Sequence, residues 1–281
     1  MRVRHTRLIL IAAGLLSAQA ALFAQWLRYP TAGVPRTRDR KPNLTAPTPR
    51  TRDGRPDLSG VWLTGTGLPC SNQPGQDFLE CGVELPLSRE GVDMGASLPG
   101  GLPYQPWAAD LVKQRIADQA KDDPHARCLP DTFARAYGLP HMQKFVQVPG
   151  LLVMLDEMNA SYRQVFTDGR PLPKDPQPAW NGYSSGQWEG NTLVVKTIGF
   201  RDDLWLDING SPLTDAATTT ERIRRPDYGH LEIELTVDDP KAYTKPWTVT
   251  LQQAIVLDTE LVDEICLENE KSVQRMIGSK R

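Results

Sequence analysis

From Gln143 onward, apolar and polar residues alternate with a period of two, and turn-forming residues interrupt the alternation at short intervals. This constrains the chain more than any other feature, because strand side chains point to opposite faces in turn whereas a helix repeats every ~3.6 residues. Gln143–Val148 and Leu151–Leu155 flank Pro149-Gly150, and Tyr162–Thr167 ends at Asp168-Gly169. Gly186–Glu189 and Thr192–Ile198 flank a turn at Glu189-Gly190-Asn191, and Ala217–Arg225 and His230–Val237 flank Pro226-Asp227-Tyr228-Gly229. Trp247–Leu257 and Leu261–Ile265 complete the series, and Leu58–Leu63 reads as an earlier strand. Within His230–Val237, residues Leu231, Ile233, Leu235 and Val237 share one face while His230, Glu232, Glu234 and Thr236 share the other. The expected fold is mainly β: an antiparallel, lipocalin-like barrel or meander. Closure is favoured because it removes exposed strand edges.

Two helical segments interrupt that plan. Pro106 to about Ala120 has Pro at its first turn and Ala108, Leu111, Val112 and Ile116 at helical spacing, with Asp122-Asp123-Pro124 as its stop. It belongs to a loop and helix insertion over about residues 64–142, and a C-terminal helix is expected over Glu268–Ile277. The 24 Pro and 22 Gly divide the chain into many short elements, which suits strands and turns better than a helical bundle.

Residues 1–24 carry a basic start (Arg2, Arg4, Arg7), an apolar run Leu8–Leu16 and small-residue cleavage sites, the pattern of a signal peptide. The apolar run is too short to span a bilayer, so no stable membrane anchor is expected and the mature chain reads as periplasmic or secreted. Residues 25–57 are rich in Pro and Arg and read as a linker. Pro35–Leu44 returns as Pro49–Leu58, a local duplication. Residues 58–281 then form the folded domain. Removing the leader takes away basic residues and no acidic ones from a chain with 32 Lys and Arg against 34 Asp and Glu, so nucleic acid is not an expected partner. All four cysteines (Cys70, Cys81, Cys128, Cys266) lie beyond the leader and read as disulfides; Cys70 with Cys81 and Cys128 with Cys266 is one of three possible pairings.

Catalytic motifs are weak. Gly182-Tyr183-Ser184-Ser185-Gly186 matches G-x-S-x-G, but a nucleophile elbow needs a helix after the Ser, and a hairpin follows here. His125, His141 and His230 have no ligand spacing, and Asp207-Ile208-Asn209-Gly210-Ser211 places its Gly wrongly for a calcium loop, so no metal and no cofactor are expected. The strand Ala217–Arg225 is more suggestive. Thr218, Thr220, Arg222 and Arg224 form one polar face, which sends Thr219, Glu221, Ile223 and Arg225 inward. A Glu and an Arg inside a barrel require a partner or a ligand. They stand four residues apart on one strand, so a bridging group is expected between them. Tyr183, Trp188, Trp205 and Asp207 lie on neighbouring segments and are candidates to line the same cavity.

Asp168–Pro173, Gly186–Val195, Glu221-Arg222 with Arg224-Arg225, and Asp239–Trp247 resemble an uncharacterised family of secreted bacterial proteins carrying a W-E-G-[DN]-T-L-V-V hairpin. The resemblance runs from Pro56 to Glu270. It implies a one-domain exported β-protein and brings no activity. Relatives would carry His near position 213 or 218, where this chain has Leu213 and Thr218, which argues against a catalytic His on that strand.

Two functional classes follow. The favoured one is a barrel that binds a small organic ligand in an internal pocket, with Tyr183, Trp188 and Trp205 against its apolar body and Glu221 and Arg225 at its polar end. The alternative is a cofactor-free isomerase, lyase or hydrolase using Glu221 or Asp207 as general base, with Arg225 as oxyanion partner. A barrel filled by its own side chains, with a structural role only, is the third reading.

Overall fold

Nine strands close into a barrel in the computed structural model, which describes residues 29–65, 88–266 and 268. The chain supplies β1 (Gly60–Thr64), β2 (Gln143–Val148), β3 (Leu151–Asp156), β4 (Ser161–Phe166), β5 (Tyr183–Glu189) and β6 (Thr192–Ile198). A short ribbon of β7 (Leu204–Trp205) and β8 (Pro212–Leu213) intervenes before β9 (Thr218–Arg224), β10 (His230–Asp238) and β11 (Trp247–Val256). The order round the ring is β1-β11-β10-β9-β6-β5-β4-β3-β2.

A ring with an odd number of strands cannot alternate direction all the way round. Its one parallel junction falls between β4 and β5, where only Val165 with Ser184 and Phe166 with Ser185 are in register. The cause is the connection: residues 167–182 carry Pro171, Pro173, Pro176 and Pro178, so no tight hairpin forms and the chain returns to start β5 alongside β4. The longest ladders lie on the far side, where β10 pairs along nearly its whole length with both β9 and β11. Leu231, Ile233, Leu235 and Val237 are fully buried there, as the alternation requires.

The insertion between β1 and β2 holds α1 (Arg89–Val92), α2 (Pro106–Ala117), a 3-10 turn at His125–Arg127 and α3 (Phe133–Ala136). Every residue of α3 is buried, and Gln253 Nε2 of β11 donates to the Tyr137 carbonyl at 2.7 Å, fixing this end of the insertion to the barrel. Cys128 and Cys266 form a disulfide. No helix among the described residues is long and apolar enough to cross a membrane.

Three expectations need correction. Residues 34–57 are not a free tether. Each copy of the duplication closes a bridged turn, Arg36 with Pro42 and Arg50 with Pro56, and the Leu44 and Ala46 carbonyls accept Gly229 and Tyr228 N–H at 2.7 and 2.8 Å. Segments poor in large apolar residues can be held by main-chain hydrogen bonds, which composition does not register. Accordingly two compact units separate at Gly33/Val34 rather than near residue 58. The smaller includes Tyr29–Gly33 and Leu257–Glu260, where Thr31 and Asp258 exchange hydrogen bonds of 2.9 and 2.8 Å. Leu261–Ile265 is not a strand and makes a single parallel bridge, Met158 with Glu264. The leader, the Cys70–Cys81 pair and the terminal helix beyond Glu268 lie outside the described residues.

Candidate functional site

The alternation on β9 sends Thr219, Glu221 and Ile223 fully inward, and Glu221 meets its partner from the opposite wall. Arg163 of β4 is inward by the same rule, beside Val165. Its guanidinium grips both Glu221 oxygens, Nη1 at 3.1 Å from Oε1 and Nη2 on Oε2, while Nε and Nη2 reach Ser184 and Thr197 at 3.1 and 2.9 Å. Tyr137 donates its hydroxyl to Glu221 Oε1 at 2.8 Å, and Phe133 lies under the guanidinium carbon at 3.5 Å. Burial alone would lower the Arg163 pKa, but the Glu221 carboxylate and Tyr137 raise it above its ordinary value; burial and Glu221 together push the Tyr137 hydroxyl well up. Both Glu221 oxygens are therefore engaged, and the side chain is fully buried. Ser184 of the G-x-S-x-G match is spent in the same network, bonded to Arg163 and Thr197.

Arg225 does not share a bridging group with Glu221. It caps the carbonyls of Asp57, Ser59, Asp227 and Tyr228 and stacks over Trp62 at 4.8 Å, and burial lowers its pKa to about 10. Asp207 is equally occupied: Met94 N–H, Ser211 N–H and the Ser211 hydroxyl all donate to it, so it pins loops rather than facing a cavity, and burial raises its pKa. Trp205 is buried under Arg115, whose guanidinium carbon sits 4.3 Å from the ring. Trp188 lies beside Arg55 in a separate cleft with Gln147 and Pro149. Of the expected ligand-contacting set, only Tyr183 reaches an open groove near the Arg163 cluster.

That groove opens where the barrel wall is thinnest. Because β4 and β5 pair at two positions only, Ser161–Gln164 separate from residues 179–183 and leave a recess of about 530 Å³. Phe166, Trp180, Tyr162 and Tyr183 line it, with Phe166 and Tyr183 stacked at 5.3 Å and Tyr162 67% exposed. Asn181 spans the gap by donating to the Tyr162 carbonyl at 3.4 Å and accepting the Phe133 N–H at 2.8 Å.

Ser161, Tyr162, Arg163 and Asn181 also line a narrow cleft of about 10 Å³ at the base of the groove, shared with Asp131, Gln143 and Asp156. Gln143 Nε2 donates to Asp156 at 2.9 Å, and the buried Gln143 Oε1 has no hydrogen-bond partner. Burial raises the Asp156 pKa to about 7 against the lowering effect of that amide. Asp131 is held by His125 at 2.8 Å and by Arg135 at 3.1 Å, and the Asp131 hydrogen bond raises the His125 pKa. Arg163 escaped the sequence reading, because the opposite face of its strand carries Tyr162 and Phe166 and alternation alone does not choose between the two. Trp180, Gln143 and Asp156 carry no motif and come together only through the topology.

In fold class the protein is mainly β, with a closed, lipocalin-like barrel. No protein-family model, curated protein or solved structure matches it.

Proposed function

We propose that this chain is an exported barrel protein that binds a small organic ligand in the aromatic groove at the β4–β5 opening. The observation that carries the reading is the groove itself, about 530 Å³ of recess lined by Phe166, Trp180, Tyr162 and Tyr183 beside the buried Arg163–Glu221 pair. Ligand pockets typically fall between about 300 and 1,000 Å³ and pair aromatic walls with a few polar groups. Because Glu221 and Arg225 are engaged by protein groups, the expected site moves from the barrel axis to its wall. Satisfied inward carboxylates, Glu221 and Asp207, favour binding over general-base catalysis. Export rests on the N-terminal sequence and suits the Cys128–Cys266 disulfide.

The test is recovery of a small molecule from natively purified protein by denaturation and mass spectrometry. Near-stoichiometric recovery from the parent, lost in Trp180→Ala with Tyr183→Ala, is expected. A groove variant that retains the same molecule, or a parent that carries none and quenches with no aromatic probe, overturns the reading.

A further inference from the structure

Resting on the groove reading, we infer that the ligand carries a primary ammonium head, which enters the cleft lined by Asp156 and Gln143 while its aromatic body lies on Trp180 and Tyr183. Three observations at the base of the groove point the same way. The first is size: about 10 Å³ admits one water-sized group, which a compact head group such as an ammonium matches and a ring does not. The second is an acceptor without a donor. Gln143 is 4% exposed and its Oε1 is unpartnered while its amide nitrogen is committed to Asp156. A buried acceptor left empty costs about 1–3 kcal/mol, so a donor entering the cleft recovers that cost. The third is charge. Asp156 receives only the Gln143 amide and the Met158 N–H, at 2.9 Å each, and no cation pairs with it among the described residues.

The cations nearby are already spent. Arg163 is held by Glu221, and Arg135 by Asp123 and Asp131. The rim does not reverse the preference, because Arg170 over Phe166 and Arg201 over Trp180 are paired with Asp168 and Asp203. A head with three donors suits the cleft, whose lining includes the unpartnered Gln143 Oε1, the Asp156 carboxylate and Ser161 as acceptors.

The experiment compares 2-phenylethylamine with 3-phenylpropionate, matched in size and opposite in charge, by calorimetry on the full chain at pH 8. The amine should bind about tenfold or more tightly than the acid, as a charge-assisted pair implies. Asp156→Asn, nearly isosteric, should erase that preference, and Gln143→Met should weaken the amine without strengthening the acid. Equal or tighter binding of the acid overturns the head-group inference and leaves the groove reading standing. Binding of neither compound, with tryptophan fluorescence unchanged, overturns the inference and counts against the groove as well. Retention of the amine preference in both variants places the ammonium elsewhere and also overturns it.

Discussion

Among the described residues Arg163 and Glu221 are each other's only full countercharge inside the ring, with side chains 3% and 0% exposed. Removing one partner of such a pair strands the other without water, whereas removing both can be nearly neutral. Glu221→Gln and Arg163→Met should each lower stability by about 3–5 kcal/mol, with the double variant losing less than the sum. Arg225→Met should combine additively with Glu221→Gln, since Arg225 serves carbonyls at a different site. Chemical denaturation of the set reads both outcomes, and a strong Glu221–Arg225 coupling would contradict this geometry. Asp156 gives a pH signature of defined sign. Its folded pKa, about 7, stands above the unfolded value, so the native state binds the extra proton and stability falls as pH rises through the window from about 4 to 7. Between pH 5 and 8 the parent should lose about 2 kcal/mol relative to Asp156→Asn, read from paired melts. His125, with its raised pKa, adds a loss of the same sign and His141, with its lowered pKa, opposes it, so the difference between the two proteins is the quantity to measure. Alternation was enough to turn Glu221 inward, but it assigns a face and not a neighbour, and on β4 it leaves open whether Tyr162 and Phe166 or Arg163 and Val165 face the core. The pairing across the barrel therefore stayed hidden, and the sequence's Arg225 took the place that belongs to Arg163.

At the level of elements, the strands with clean alternation and a glycine-containing turn were legible almost to the residue. Thr192–Ile198 and Gln143–Val148 show this, and Pro106 opens α2 as its fixed φ allows. Elements of two to four residues were not. β7, β8, α1 and α3 are too short to express a period, and tertiary contacts hold them instead. Gly210 illustrates the point: its φ of +83° closes the turn between β7 and β8, and a Cβ there would stand 2.5 Å from Arg115 Cδ and 3.0 Å from the Trp205 ring. Gly210→Ala should cost about 1–3 kcal/mol and disturb the packing of Arg115 on Trp205, visible as a change in tryptophan emission. The Cys128–Cys266 bridge joins segments 138 residues apart in sequence. Opening so long a loop releases about 5 kcal/mol of chain entropy on the simplest account, with measured losses nearer 2–5. Cys128→Ser with Cys266→Ser should therefore melt well below the parent, and an unchanged midpoint would show that packing alone holds these segments.

For the whole molecule, the count of strands decides where the barrel is weakest. Nine strands force one parallel junction, and the proline-bearing connection after β4 sets it between β4 and β5. The sequence showed the strands and the prolines, but parity becomes visible only when β1 and β2 are known to close the ring. Local opening follows the weakest ladder, because amides exchange through fluctuations whose cost scales with the structure broken. β4 and β5 share two paired positions, whereas β10 is zipped to β9 and β11 over almost all of its length. Hydrogen exchange should therefore run at least about tenfold faster in peptides covering residues 161–166 and 179–185 than in those covering 219–223 and 231–237. Ligand seated in the groove bridges Tyr162 on one side and Trp180 and Tyr183 on the other, so binding should slow exchange at this junction and leave β10 unchanged. Uniform protection round the ring would mean that side-chain bridges such as Asn181 close the junction as firmly as a ladder. Faster exchange at β4 and β5, selectively suppressed by an aromatic amine, would join the parity of the barrel to the position of its binding site.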